Sequence, residues 1–169
     1  MEIRKTLIPK KNNGEPMNDI RPREYIFFKV GFNGYRDVSE SAVNEVRDRE
    51  QTAECECVLT LPPTYSDEGV PTQLILSCHG AGSRVSGQEE KIGGLPYASV
   101  LSEKNCAVLD VNGSKPNGLT MGCPEHVFAL YKAYRHAIKN YNLTEKVFVC
   151  GHSMGGGTAI NFASTFPSL

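Results

Sequence analysis

Residues 146–158 read KVFVCGHSMGGGT, and this stretch decides the fold. Lys146–Cys150 is an apolar run with β-branched and aromatic residues, which is typical of a strand. The small residues after Ser153 open a helix that we predict over Met154–Phe166. Between the strand and the helix, residues 151–155 match the pattern Gly-x-Ser-x-Gly. The sequence therefore predicts a sharp strand–turn–helix unit with one serine at its apex.

The two glycines of this pattern have a steric explanation. An abrupt turn brings the residues two before and two after Ser153 close together, so a Cβ at Gly151 or Gly155 would clash. The turn strains the serine backbone and presents its Oγ, which predicts that Ser153 is a nucleophile. The alternative is a simple glycine-rich turn. A phosphate-binding P-loop is excluded, because the motif does not end in Gly-Lys-Ser/Thr and no lysine follows it.

A second motif, His79-Gly80-Ala81-Gly82, follows the apolar run Gln73–Cys78. Acyl transfer through a tetrahedral intermediate needs backbone N–H donors aimed at the developing oxyanion. We predict these donors to be the N–H groups of Met154 and Ala81, with Gly80 or Gly82 as alternatives to Ala81. His79 is predicted to shape the loop by hydrogen bonding rather than to act as a base. The competing interpretation is a plain glycine turn.

Hydrophobic periodicity places further elements on both sides of these motifs. The predicted strands are Tyr25–Phe32, Glu54–Leu61, Gln73–Cys78, Cys106–Val111 and Lys146–Cys150. The predicted helices are about Pro96–Lys104, Pro124–Tyr141 and Met154–Phe166, with a short exposed helix also considered within residues 36–54. From residue 73 onward, strands and helices alternate, which predicts an α/β protein with a mostly parallel sheet and helices on both faces. Residues 1–24 are interpreted as an extended lead-in, and residues 25–169 as one domain.

Composition narrows the classes of function. The chain has 169 residues, 40% of them hydrophobic, and a formal net charge of −1, which gives no pull towards nucleic acid or an anionic membrane. We expect no membrane span and no secretory signal, and hence a cytoplasmic protein. The six cysteines form no C-x-x-C pair, so no zinc or other metal site and no thioredoxin-like site is predicted. Cys57, Cys78 and Cys150 are expected to be reduced core residues.

Three segments of the chain read PTQLILSCHGAG, LDVNG and GHSMGG. Through these segments, the chain resembles the α/β-hydrolase superfamily over about residues 54–167. Within it, the chain is similar to esterase- and prolyl-oligopeptidase-like serine hydrolases of bacterial and prophage genomes. The resemblance implies a Ser–His–Asp/Glu triad and no cofactor. It also implies hydrolysis of an ester, thioester or amide in a small-molecule or peptide acyl substrate.

The chain departs from the family pattern after Ser153. In this fold the triad acid and histidine follow the serine, but Met154–Leu169 contains no His, Asp or Glu. His152 is not expected to act as the base, because adjacent side chains diverge at such a turn. His126 and His136 are expected at the surface, and Asp110 is interpreted as a turn residue.

We therefore expect a C-terminally truncated fold that is inactive or weak as a hydrolase. KVFVC, a buried strand in a complete fold, would then be an exposed edge that invites self-association. The alternative is a non-catalytic binding or structural module that keeps the fold without the triad.

Overall fold

The structure of the chain is a computed structural model that describes residues 2–7, 23–32, 53–81, 101, 104–112 and 122–169. Six strands and two helices lie within these residues. The strands are β1 (Ile3–Leu7), β2 (Arg23–Phe32), β3 (Ala53–Leu61), β4 (Thr72–Cys78), β5 (Cys106–Val111) and β6 (Leu143–Gly151). The helices are α1 (Pro124–Asn140) and α2 (Met154–Thr165).

The strands form one mixed sheet in the order β1-β2-β3-β5-β4-β6. The first half is antiparallel, from β1 through β2 and β3 to β5. In the second half, β4 lies between β5 and β6 and runs parallel to both. The predicted α/β class is confirmed, and the parallel part is the half of the sheet in which strands alternate with helices along the chain. Because parallel strands end together, the loops after β4, β5 and β6 meet at one edge of the sheet.

The central strand β4 is the most enclosed part of the sheet. Leu74–Cys78 is buried residue by residue, as is Ala107–Val111 in β5. Alternation in a strand sends Leu74 and Leu76 to one face, and Ile75 and Ser77 to the other. Both faces of β4 are therefore covered, as its continuous apolar run predicts.

Both helices pack on the sheet face that carries Leu74 and Leu76. Ala129, Leu130 and Phe162 belong to the same buried cluster as these strand residues. An aromatic contact joins the helices, because the rings of Tyr131 and Phe166 stack with centroids 4.5 Å apart. Asn161 also donates a hydrogen bond from Nδ2 to the Gly122 carbonyl at 2.9 Å. The start of α1 and the body of α2 are thereby held together. Neither helix in this part of the chain has the length and apolar character that crossing a bilayer requires.

Strand β1 was not predicted from the sequence. Its five residues, Ile3–Leu7, pair antiparallel with β2, and Arg4 forms an ion pair with Glu24 at 3.3 Å. The polar pattern of Ile3–Leu7 gives no sign of a half-buried strand. Three predictions fall wholly or for the most part outside the described residues. They are the lead-in, the helix considered within 36–54 and the helix predicted over 96–104.

The strand that carries the serine motif forms the edge of the described sheet. β6 pairs with β4 on one side, and its burial is partial along Glu145–Gly151. The side chain of Phe148 is 66% exposed. The expectation of a fully buried KVFVC strand is therefore wrong, whereas the expectation of an exposed edge is confirmed for the described residues.

The expectation that His126 lies at the surface is wrong. His126, in the first turn of α1, is fully buried and faces His79 with ring centroids 6.0 Å apart. Burial lowers the pKa of His126 to about 4, with the nearby His79 lowering it further and a hydrogen bond to the Val111 backbone raising it. His136 is partly exposed, and its ring stacks on Phe28 and bonds the Glu2 carboxylate.

The buried His126 predicts a pH dependence of stability. Its pKa in the folded chain lies below the value of about 6.5 for an unfolded histidine, so the unfolded state binds more protons between pH 6.5 and pH 4. The free energy of unfolding should therefore fall as the pH is lowered through this window. The part of this fall in the free energy of unfolding that is due to His126 should reach about 3 kcal/mol.

Urea unfolding of the wild type and of His126→Gln at several pH values measures this contribution. The difference between the two proteins should shrink as the pH falls from 6.5 to 4. His136→Gln, which changes a partly exposed ring, is the matched control. Parallel stability curves for the wild type and His126→Gln would contradict the expectation.

Candidate active site

Ser153 occupies the apex of a tight turn between β6 and α2. Its backbone has φ 54° and ψ −121°, a positive-φ conformation that is costly for a residue with a side chain. Ser153 is exposed, and the first helical residue, Met154, follows directly. The predicted strand–turn–helix is confirmed in geometry. The hydroxyl therefore stands at the amino end of a helix, where the backbone carries partial positive charge.

Two close backbone approaches enforce this turn. A Cβ added to Gly155 would lie 1.9 Å from the carbonyl oxygen of Cys78, the last residue of β4. A Cβ added to Gly151 would lie 2.1 Å from the carbonyl oxygen of Gly155. Both distances are far below van der Waals contact, and both neighbours are backbone atoms. Only glycine fits either position, as the sequence pattern predicts.

The turn is also tied to β4 by hydrogen bonds. The N–H of His152 donates to the Cys78 carbonyl at 3.3 Å, and Gly151 pairs with Cys78 in the parallel ladder. Within the turn, the N–H of Gly155 donates to the His152 carbonyl at 2.9 Å. The end of β4 is thus both the steric and the hydrogen-bonding partner of the turn.

The His79-Gly80-Ala81 loop lies directly beside the serine. A Cβ added to the buried Gly80 would stand 3.6 Å from Ser153 Cβ and 3.1 Å from His152 Nδ1. Ala81 follows in an exposed turn, and Gly82 lies outside the described residues. The two motifs, 71 residues apart between Gly80 and Gly151 in the sequence, are therefore brought into contact.

His79 is fully buried and is held by backbone carbonyls. Its Nε2 lies 3.0 Å from the Asn112 carbonyl, and its Nδ1 lies 3.0 Å from the Gly80 carbonyl. Asn112 directly follows β5, and its N–H donates to the Glu56 carbonyl of β3 at 2.9 Å. The ring thus connects the loop after β4 to the end of β5. Sequence analysis singled out His79, but it assigned no role to Asn112.

A polar cluster lies beneath the turn. Asp110 is fully buried within β5 and accepts a hydrogen bond from the Ser77 hydroxyl. The interpretation of Asp110 as a turn residue is therefore wrong, because its strand continues to Val111. Burial raises the pKa of Cys78 to about 12 and that of Cys150 to about 11, and in both cases nearby Asp110 adds to the increase. Both thiols are therefore neutral near pH 7.

Three of the four histidines bond groups other than the Ser153 hydroxyl. His79 bonds backbone carbonyls, His126 bonds the Val111 backbone, and His136 bonds Glu2. His152 is exposed and packs against Gly80. Within the described part of the chain, no group of three His, Cys, Asp or Glu side chains is arranged to hold a metal ion.

Searches by sequence gave no match to a protein family and none to a characterised protein. Solved structures with a similar fold were found. The rice cell wall degrading esterase LipA from Xanthomonas oryzae matches with a TM-score of 0.61 and 18% identity, covering 90% of this chain and 40% of that chain. The S-formylglutathione hydrolase from Agrobacterium tumefaciens matches with a TM-score of 0.57 and 16% identity, covering 89% of this chain and 56% of that chain. Lipase A from Candida antarctica matches with a TM-score of 0.55 and 13% identity, covering 87% of this chain and 34% of that chain.

These similarities concern the fold, since all three identities are low. This chain spans between about a third and somewhat over half of the length of the three structures. In each comparison most of this chain is covered. The chain has an α/β-hydrolase fold of the type found in esterases, incomplete relative to these structures.

Proposed function

We propose that the chain is part of a serine hydrolase in which Ser153 attacks the acyl carbon of a carboxylic ester, thioester or peptide bond. The observation that carries this proposal is the backbone of Ser153, which is held at φ 54° with the side chain exposed at the amino end of α2. A conformation of this cost persists only where the surroundings enforce it, and such strain is concentrated at functional sites. The names of the fold neighbours, esterases and hydrolases, support the same class of reaction.

The proposed reaction begins with a bond between Ser153 Oγ and the acyl carbon. The carbonyl π electrons move to oxygen, and the tetrahedral oxyanion is stabilised by backbone N–H groups, for which we propose Met154 and Ala81. The N–H groups of Gly155 and Gly156 already donate within the turn. Helix geometry leaves the first N–H, that of Met154, to a ligand. The oxyanion then collapses, the alcohol, thiol or amine leaves with a proton, and water later hydrolyses the acyl-enzyme. This chemistry needs no cofactor.

The proton of the Ser153 hydroxyl needs a base during attack. Serine is a weak nucleophile without one, and removing triad members typically costs several orders of magnitude in rate. Three of the four histidines bond other groups, and His152 is the neighbour of the serine in sequence. We therefore propose that the 169-residue chain alone is a weak or inactive hydrolase. A histidine and a carboxylate supplied by further protein sequence would complete the site.

The second candidate is a non-catalytic binding or structural module, favoured by the engagement of His79, His126 and His136 with other groups. In either case we propose a cytoplasmic protein of bacterial or prophage type. Cys57, Cys78, Cys106 and Cys150 are free thiols, which supports a reducing compartment. The assignment to a bacterium or prophage rests on the resemblance of the sequence to serine hydrolases of such genomes.

Covalent labelling with a fluorophosphonate probe tests the proposed nucleophile. We expect slow labelling that Ser153→Ala abolishes and that added imidazole, as an external base, accelerates. Ser164→Ala is the matched control, because Ser164 is exposed on the same helix. Mass spectrometry of the labelled peptide identifies the modified residue.

Two outcomes of this experiment would contradict the proposal. Equal labelling of the wild type and Ser153→Ala would exclude Ser153 as the nucleophile. An absence of labelling even with imidazole would favour the binding module. Rapid turnover of a short-chain nitrophenyl ester by the wild type, lost in Ser153→Ala, would instead overturn the statement that the chain alone is weak.

The proposed nucleophile also depends on the tight turn, which can be tested through stability. Gly155→Ala should destabilise the chain by about 3 kcal/mol, since the methyl group would overlap the Cys78 carbonyl. Gly157→Ala is the control, because no neighbouring atom lies within 4 Å of an added Cβ. That change should be neutral or stabilising by roughly 0.5–1 kcal/mol, as is usual for Gly to Ala in a helix. Equal thermal stability of the two variants would contradict the described packing.

A further inference from the structure

Two buried histidines bond consecutive residues at the end of β5. His79 reaches the Asn112 carbonyl with Nε2 at 3.0 Å. His126, in the first turn of α1, forms a hydrogen bond to the backbone of the preceding residue, Val111. The two rings face each other with centroids 6.0 Å apart, and both side chains are fully buried. Closely packed interiors transmit a displacement rather than absorb it. The loop after β4 and the first turn of α1 are therefore held to the same strand end.

The start of α1 is also fixed to α2. Asn161 of α2 donates a hydrogen bond from Nδ2 to the Gly122 carbonyl at 2.9 Å. Gly122 lies so close to α2 that an added Cβ would stand 2.9 Å from Thr158 Cα. Between Gly122 and the helix, the Cys123 carbonyl accepts a hydrogen bond from the N–H of His126 at 3.0 Å. A continuous series of contacts therefore leads from α2 to His126.

These contacts connect the two segments that carry the proposed oxyanion donors. One series runs from His126 through His79 to the loop after β4, which contains Ala81. The other runs through the start of α1 to α2, whose first residue is Met154. Two N–H groups stabilise the same oxyanion only if both are held at the place where the negative charge develops. The position of His126 is therefore suited to fixing the distance between the two donors.

Burying a histidine here has a cost in free energy, which its contacts explain. A polar side chain is unfavourable in a protein interior unless it is hydrogen-bonded. Other buried residues of α1 that face the main core are apolar, such as Val127 and Leu130. An apolar side chain at position 126 would also pack, but it could not bond the backbone of Val111. The histidine thus provides an attachment between α1 and β5 that filling the core does not require.

We propose that His126 is a positioning residue that fixes the loop after β4, and with it the N–H of Ala81, relative to α2. The inference rests on the proposed function, because an oxyanion forms only if Ser153 attacks an acyl carbon. Burial lowers the pKa of His126 to about 4, so its ring is neutral near pH 7. The contribution of His126 is therefore geometric, through its packing against His79 and its hydrogen bond to the end of β5.

Two variants of the 169-residue chain separate the hydrogen bond from the ring. His126→Phe keeps an aromatic ring and removes the bond to Val111. His126→Gln keeps a hydrogen-bond donor and removes the packing against His79. His136→Gln is the matched control, since His136 lies on the same helix and bonds Glu2. All proteins are compared at about pH 7.5, where a histidine with an ordinary or a lowered pKa is neutral.

The first measurement is the rate of fluorophosphonate labelling of Ser153 with imidazole present. We expect each His126 variant to react about tenfold more slowly, because a displaced donor loses part of its transition-state stabilisation. The loss should lie in the maximal rate constant and not in the probe concentration that gives half of the maximal rate. A role in stability alone would lower the melting temperature without this effect. His136→Gln should react like the wild type.

The second measurement, ¹⁵N relaxation, does not depend on activity. The backbone order parameters of Gly80 and Ala81 should fall in the His126 variants and stay unchanged in His136→Gln. A slower reaction together with a more mobile loop supports the proposal. If either readout is unchanged in both His126 variants, or if His136→Gln has the same effects, the proposal is wrong.

The two measurements also separate this inference from the proposed function. A wild type that is not labelled at Ser153 would contradict the proposed function. The order parameters would then decide by themselves whether His126 holds the loop. Thermal melts show whether each variant is folded, and if His126→Phe does not fold, His126→Gln decides the outcome.

Discussion

The approach of Gly155 to the carbonyl of Cys78 is the constraint on which the rest of the site depends. It leaves no room for a Cβ, so the first turn of α2 rests directly on the end of β4. The backbone must then reverse within a few residues after β6, and Ser153 takes up the strain at φ 54°. The exposed hydroxyl is thus a consequence of backbone packing between a strand and a helix, rather than of any partner of the serine side chain.

The same strand end organises the second motif. The loop that begins at His79 leaves β4 immediately after Cys78. Its position at the end of β4 is enough to place Gly80 beside Ser153. His79 then links this loop to Asn112 at the end of β5. Three parallel strands therefore contribute to one site, and the antiparallel half of the sheet supports β5 from the other side through β3. This arrangement explains how the mixed sheet can hold the site with three parallel strands among the described residues.

Much of this could be predicted from the sequence, because the relevant signals are local. Glycines two residues before and after Ser153 specify a turn, and the apolar runs of β4 and β5 specify strands covered on both faces. His126 could not be assigned in the same way, since its burial depends on packing against His79 rather than on the helical pattern of α1. Asp110 was misplaced because its buried partner, Ser77, lies on a neighbouring strand. Strand β1 has a polar pattern, and its pairing with β2 is a long-range property.

The strand order also has a consequence for the path by which the site is assembled. β4 is completed by β5 and β6, which both come later in the chain, and Gly151 pairs with Cys78, which lies 73 positions earlier in the sequence. Bringing such distant segments together costs chain entropy before any contact compensates for it, so contacts of this range form slowly. The turn that carries Ser153 cannot be held in its strained shape until that long loop has closed. Formation of the site is therefore tied to one of the late, non-local steps of folding rather than to the local helix that follows the serine.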